Sequence, residues 1–138
     1  MLRTINITSK DRERLLKLIN EEREFGKGRN RECLKDLEQE LNRANIVEPE
    51  SIPADSITMN SKVLLKDLDT GEETTYTLVY PEDVNLAENK ISVLAPIGTA
   101  ILGFREGDVI DWKVPAGTVK LRVEKILYQP EAAGDYHL

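Results

Sequence analysis

Three carboxylates, Glu21, Glu22 and Glu24, stand just before a glycine-broken basic segment, Phe25-Gly26-Lys27-Gly28-Arg29-Asn30-Arg31. Carboxylate oxygens are the ligands a hard cation such as Mg²⁺ prefers, so these three are the chain's candidates for metal-assisted chemistry. Three exposed glutamates on a helix are more ordinarily a solvated face, and we read them that way. Lys27, Arg29 and Arg31 leave two readings open: charges that keep a turn soluble, or contacts with acidic protein or nucleic acid. His137 is the only histidine and lies one residue from the C-terminus; with Asp135 it would supply two ligands, too few for a metal site. Cys33 is the only cysteine, which excludes an internal disulfide and a Cys-rich zinc site and reads as a small apolar residue beside a helix face. No GxxxxGK[ST] or GxGxxG signals a phosphate loop.

The elements that position these residues follow from periodicity. Thr8-x-x-Asp11 has the form of a helix-start capping box, with Asp in place of the usual Glu or Gln. Leu15, Leu18 and Ile19 then mark one face of a helix to about Glu24. Asn30 is the expected cap of a second helix, with Leu34, Leu37, Leu41 and Ala44 on its apolar face. The short connection predicts an antiparallel pair with Leu15, Ile19, Leu34, Leu37 and Leu41 as its core, and with Glu24 facing Arg31 across it. Residues 1–48 therefore form a short helical hairpin. Residues 49–56, rich in proline and acid, read as a linker. Residues 57–138 carry strand patterns: two strands around Asp69-Thr70-Gly71-Glu72, then Lys90 to Leu94, Val109 to Val114 and Val119 to Tyr128. A short apolar helix is expected from Gly98 to Phe104. The ending QPEAAGDYHL is turn-rich and expected to pack loosely. The class is α+β.

Of 138 residues, 40% are hydrophobic and 32% charged, enough for a real core in a soluble protein. The net charge of −6 is uneven: residues 1–48 carry 11 Lys/Arg and 10 Asp/Glu, residues 49–138 carry 8 and 15. An acidic body disfavours a phosphate-tracking surface, so a protein partner is expected and stable direct nucleic-acid binding is not. Aromatics at 5% argue against a base-stacking platform. No apolar run spans a bilayer, and MLRTINITSK lacks the apolar stretch of a signal peptide, so a cytoplasmic protein without membrane contact is expected.

The stretch KISVLAPIGTAILGFREGDVIDW, residues 90–112, resembles the C-terminal domain of the bacterial Gre transcript-cleavage factors in the order I-S-V-x-x-P-x-x-x-A-x-L-G-x-x-x-G-D. S-K-V-x-L-x-D-L-D-T-G-E-E at 61–73 and T-Y-T-L-V-Y at 75–80 extend the similarity over roughly Asn60 to Tyr128. Ile57-Thr58-Met59-Asn60-Ser61, Leu78-Val79-Tyr80-Pro81, Ala95-Pro96-Ile97-Gly98 and the ending from Tyr128-Gln129-Pro130-Glu131 to Tyr136 resemble the Rnk family of small Gre-like regulators, named for nucleoside diphosphate kinase. The resemblance implies an FKBP-like antiparallel sheet wrapping one short helix, the Gre C-terminal type, behind the helical hairpin.

It further implies binding to bacterial RNA polymerase near the secondary channel, in competition with Gre-type factors. The contact is expected at Leu94, Ala95, Pro96, Ile97 and Gly98, where the family's Asp-Ser-Pro keeps only its proline as Pro96. Gre cleavage needs a long arm with an acidic, metal-holding tip, and this arm is short with a basic tip. The expected function is therefore a monomeric, non-catalytic transcription regulator without a cofactor. The alternatives are a transcript-cleavage factor acting through Glu21, Glu22 and Glu24, and an FKBP-like chaperone or prolyl isomerase. The latter's pocket would draw aromatics from Tyr76, Tyr80, Phe104 or Trp112, although Phe104 and Trp112 read as core.

Overall fold

The structure, a computed structural model, describes residues 5–25, 31–114 and 117–135. Helix α1 runs over Ser9–Phe25 and α2 over Arg31–Asn42. The Thr8 cap forms as expected, the Asp11 amide donating to Thr8 Oγ1 at 3.2 Å. The Asp11 side chain does not close the box; it accepts a bond from the Tyr80 hydroxyl instead. Cross-hairpin pairing is made by Arg23, whose guanidinium donates to both Glu38 oxygens at 2.8 and 3.1 Å. Asn30 and the side chain of Arg31, for which capping and pairing roles were expected, lie outside the described residues.

Leu15, Ile19, Leu37 and Leu41 are 0% exposed and Leu34 is 3% exposed. Two helices alone leave part of each apolar stripe in water, so burial this complete needs a third layer. The body supplies it: the hairpin leucines share one continuous core with Ile5, Ile57, Met59, Ile101, Leu102 and Phe104.

The body is a five-stranded sheet. Its strands are β3 (Lys62–Asp67), β4 (Glu73–Val79), β5 (Lys90–Ser92), β6 (Val109–Val114) and β7 (Gly117–Tyr128), in the order β5-β4-β3-β7-β6. The β3–β4 turn places Gly71 at φ +77°, as its sequence predicts. The sheet departs from the expected all-antiparallel pattern at one edge, where β5 pairs parallel to β4. The Tyr80–Asn89 connection, with 3₁₀ turns at Pro81–Asp83 and Leu86–Glu88, carries the chain back along the sheet before it re-enters, so β5 cannot run antiparallel to its neighbour. The register between β3 and β7 shifts twice, and such bulges bend a sheet towards its concave side. Val63, Leu65, Leu121 and Val123 alternate inward, buried. Helix α3 spans Pro96–Ile101, two residues earlier than the apolar run predicts, and packs against β6.

Two features had no sequence signal. The two-residue strands β1 (Asn6–Ile7) and β2 (Asn45–Ile46) pair in parallel across the hairpin base. The tail is docked rather than loose: Pro130–Ala133 form helix α4, capped by Gln129 at its start and by Gly134 at φ +81° at its end. Gln129 Nε2 donates to the carbonyls of Pro53 at 2.8 Å and Ser56 at 2.6 Å. The Tyr128 hydroxyl donates to Asp135, which pushes its pKa up to about 12. Segment 49–56 is held by these bonds and by Asp55, which accepts three hydrogen bonds from the Arg105 guanidinium at 2.8 to 3.0 Å.

Candidate functional site

The loop before α3 is built by its own backbone. The Leu94 amide donates to Ser92 Oγ at 3.0 Å, and the Ala95 amide to the Ser92 carbonyl at 3.0 Å. Ala95 is extended at φ −71°, ψ 149°, and Pro96 begins the helix, where its missing N–H leaves nothing unpaired. Thr99 locks the turn from inside, its hydroxyl donating to the Val93 carbonyl at 2.6 Å.

The five expected contact residues divide. Leu94 is 6% exposed and belongs to the core, so it offers little outward surface. Gly98 is buried because its backbone lies on β5: a Cβ there would sit 2.1 Å from the Ser92 carbonyl oxygen. Ala95 and Ile97 are partly exposed, and the side chain of Pro96 lies outside the described set. Ile97 overhangs a groove of about 270 Å³ that the sequence reading did not find. Tyr76, Trp112 and Val119 line it beside Ile97, over Leu65 and Leu121, with Asp67 and Glu72 where the β3–β4 turn begins and ends. Trp112, expected as core, packs against the core but also forms this wall, and Phe104 is core at 4% exposure. The missed signal was register: Trp112 pairs with Val119 and Tyr76 with Val63, which puts both aromatics on the concave face at its uncovered end.

The hairpin is positioned by a polar network at its base. Tyr80 donates to Asp11 Oδ1 at 2.9 Å, and the Arg14 guanidinium lies 3.8 Å from the Tyr80 ring centroid while reaching Glu82 at 3.4 Å. Burial raises the Asp11 pKa, more than the Tyr80 bond and the Arg14 charge lower it. Burial and then the Asp11 charge push the Tyr80 hydroxyl far up. Glu21 and Glu24 are exposed and Glu22 partly so. Glu21 faces a shallow groove beside Arg14, Lys17 and Tyr80. Among the described residues no three His, Cys, Asp or Glu side chains converge on a metal position. Lys27, Arg29 and the Arg31 side chain, the expected basic tip, and Cys33 and His137 lie outside the described residues or side chains.

Residues 52–128 match the family model for the C-terminal domain of the transcription elongation factors GreA and GreB, and residues 3–47 match that for the Rnk N-terminus. The chain belongs to the Rnk family of Gre-type proteins. Its similarity to the Escherichia coli K12 regulator of nucleoside diphosphate kinase is 48% identity over 103 residues, covering 74% of this chain and 76% of that one. The transcription elongation factor GreA of Syntrophotalea carbinolica is 33% identical over 115 residues, covering 80% of this chain and 73% of its own. Among solved structures, a prokaryotic GreA/GreB elongation factor from Nitrosomonas europaea superposes with a TM-score of 0.76 at 41% identity, over 91% of this chain and all of that one. The Rnk-family motifs now have physical roles: Tyr80 anchors the hairpin and Gln129 anchors the segment before β3. No helix among the described residues is long and apolar enough to cross a membrane.

Proposed function

We propose that the chain is an accessory protein of RNA polymerase that docks near the secondary channel, competes with Gre-type factors and does not stimulate transcript cleavage. Residues 57–138 are the docking body, residues 1–48 the arm and residues 49–56 the connection between them. One observation carries the reading: a GreA/GreB-type C-terminal domain is joined to a hairpin whose first helix is 17 residues, about 26 Å long.

The docking face is the α3 loop with the groove beside it. Ala95, Ile97, Tyr76 and Trp112 give an apolar centre, and Asp67 and Glu72 an acidic rim. An apolar anchor flanked by Lys or Arg on the polymerase fits that surface. Ile97, partly exposed, supplies the apolar contact of this loop in place of the buried Leu94. Glu21, Glu22 and Glu24 lie within about one turn of α1 without converging on a metal position among the described residues, which favours occupancy of the channel mouth over metal delivery. Acting on polymerase places the protein in the cytoplasm, and any influence on nucleoside diphosphate kinase then runs through transcription.

Retention on immobilised core polymerase, displaced by added GreA, is the expected result; no retention at micromolar concentration removes the proposal. In backtracked elongation complexes RNA length is expected to stay constant on addition of the protein. Faster shortening would instead support the cleavage-factor reading. A proline-peptide isomerisation assay, expected flat, separates the isomerase reading that the same groove invites.

A further inference from the structure

The Rnk-type ending meets the hairpin at a place that shares no lining residue with the docking groove. A cavity of about 250 Å³ opens between the first turn of α1, the chain after β2 and helix α4. Its polar lining includes Asp11, Glu48 and Glu131 against Lys10, three acids and one base, so its formal charge is −2 with all four ionised. Ile46, Val47 and Pro49 form an apolar wall.

Glu131 decides what the cavity is for. It is 8% exposed, and its Oε1 is buried without a hydrogen-bond partner. Burying a carboxylate oxygen unpaired is costly, and chains rarely do so without a use for it. The helix end beside it does not call for an anion. Thr8 Oγ1 already accepts the Asp11 amide, the Thr8 carbonyl accepts the Arg12 amide at 3.0 Å, and the Asp11 carboxylate offsets the positive end of α1. The charge balance and the open acceptor both ask for a cationic donor. A metal ion would need several converging ligands, which the described residues do not provide. An ammonium needs only acceptor oxygens, and a methylene chain behind it would lie along Ile46, Val47 and Pro49.

We propose that this cavity binds a small aliphatic amine, its ammonium donating to Glu131 Oε1 beside the Asp11 carboxylate. The volume equals on the order of eight liquid-water volumes, which suits a diamine of a few carbons. The walls come from both ends of the hairpin base and from the tail, so an occupant ties α1 to α4 and stabilises the folded chain.

Isothermal titration of 1,4-diaminobutane into the full chain at neutral pH tests this. Saturable one-site binding is expected, with an upward shift in thermal midpoint and amide NMR changes centred on residues 8–11, 46–48 and 131. E131Q keeps the shape and removes the charge; it should bind about tenfold more weakly or worse, the loss of one charge-assisted bond. E88Q, an exposed acid in the β4–β5 connection, should bind like the parent. No saturable heat at about 10 mM amine overturns the proposal, as does equal weakening by E131Q and E88Q, which would mark general charge attraction. Inorganic phosphate perturbing residues 8–11 in place of the amine also overturns it. If E131Q unfolds, the site still stands or falls on the location of the parent's NMR changes.

Discussion

Gly98 shows how a residue's apparent role changes once its neighbours are known. In the sequence it belongs to a contact loop; in the fold it lets α3 lie against the backbone of β5. G98A would drive a Cβ to 2.1 Å from the Ser92 oxygen, so helix or strand must move. We expect a loss of about 1–3 kcal/mol in urea unfolding, with the denaturant slope unchanged. Glu131 and Asp11 make a second prediction at this scale. Burial raises the pKa of both above their ordinary values of 4.5 and 3.8. The folded protein therefore holds these protons more tightly than the unfolded chain. The resulting stabilisation is complete below those ordinary values and is lost as pH rises through the raised native ones. The thermal midpoint of E131Q should depend less on pH across mild acid than that of the parent, and at neutral pH E131Q should be no less stable. A parallel pair of curves would contradict this.

At the scale of elements, α3 and the concave end of the sheet act together. Ile97 projects from the first turn of the helix over Trp112 and Tyr76, so a charge placed there would disturb the groove with little effect on the core. I97E should weaken retention on core polymerase about tenfold or more while the thermal midpoint moves only a few degrees. Loss of retention together with loss of fold would not separate docking from stability, so circular dichroism accompanies the measurement. The tail is the second such element. Gln129 reaches two carbonyls of the segment before β3, and Q129A leaves both without that donor. The expected cost is about 1–3 kcal/mol, accompanied by faster hydrogen exchange at residues 55–57. Unchanged exchange there would show that α4 does not hold the segment.

Across the whole molecule, the hairpin and sheet share one core. The leucines of α1 and α2 are sealed by Ile5, Ile57, Ile101 and Phe104, and Tyr80 ties the end of β4 to Asp11. A hairpin of this length has too little buried surface to persist alone in water. Helical circular dichroism and Trp112 fluorescence should therefore report one coincident thermal transition. Early loss of helix with the fluorescence intact would show an arm that folds independently.

Local periodicity was enough to read the two helices, the strands around Gly71 and along β6 and β7, and the brevity of the arm, because each depends on residues near one another in the chain. The ordered motifs between Asn60 and Tyr128 were enough to recognise the family. Leu94 turned inward, Gly98 under a carbonyl, the β1–β2 pair, the parallel edge strand and the groove at Trp112 were not legible there. Nor was the buried Oε1 of Glu131, which has no hydrogen-bond partner. Tyr80 meets Asp11 across 69 positions and Gln129 meets Ser56 across 73, and no local pattern encodes a contact at such a distance. Propensity and period determine which segments become helix or strand; only packing decides which faces remain open for a partner.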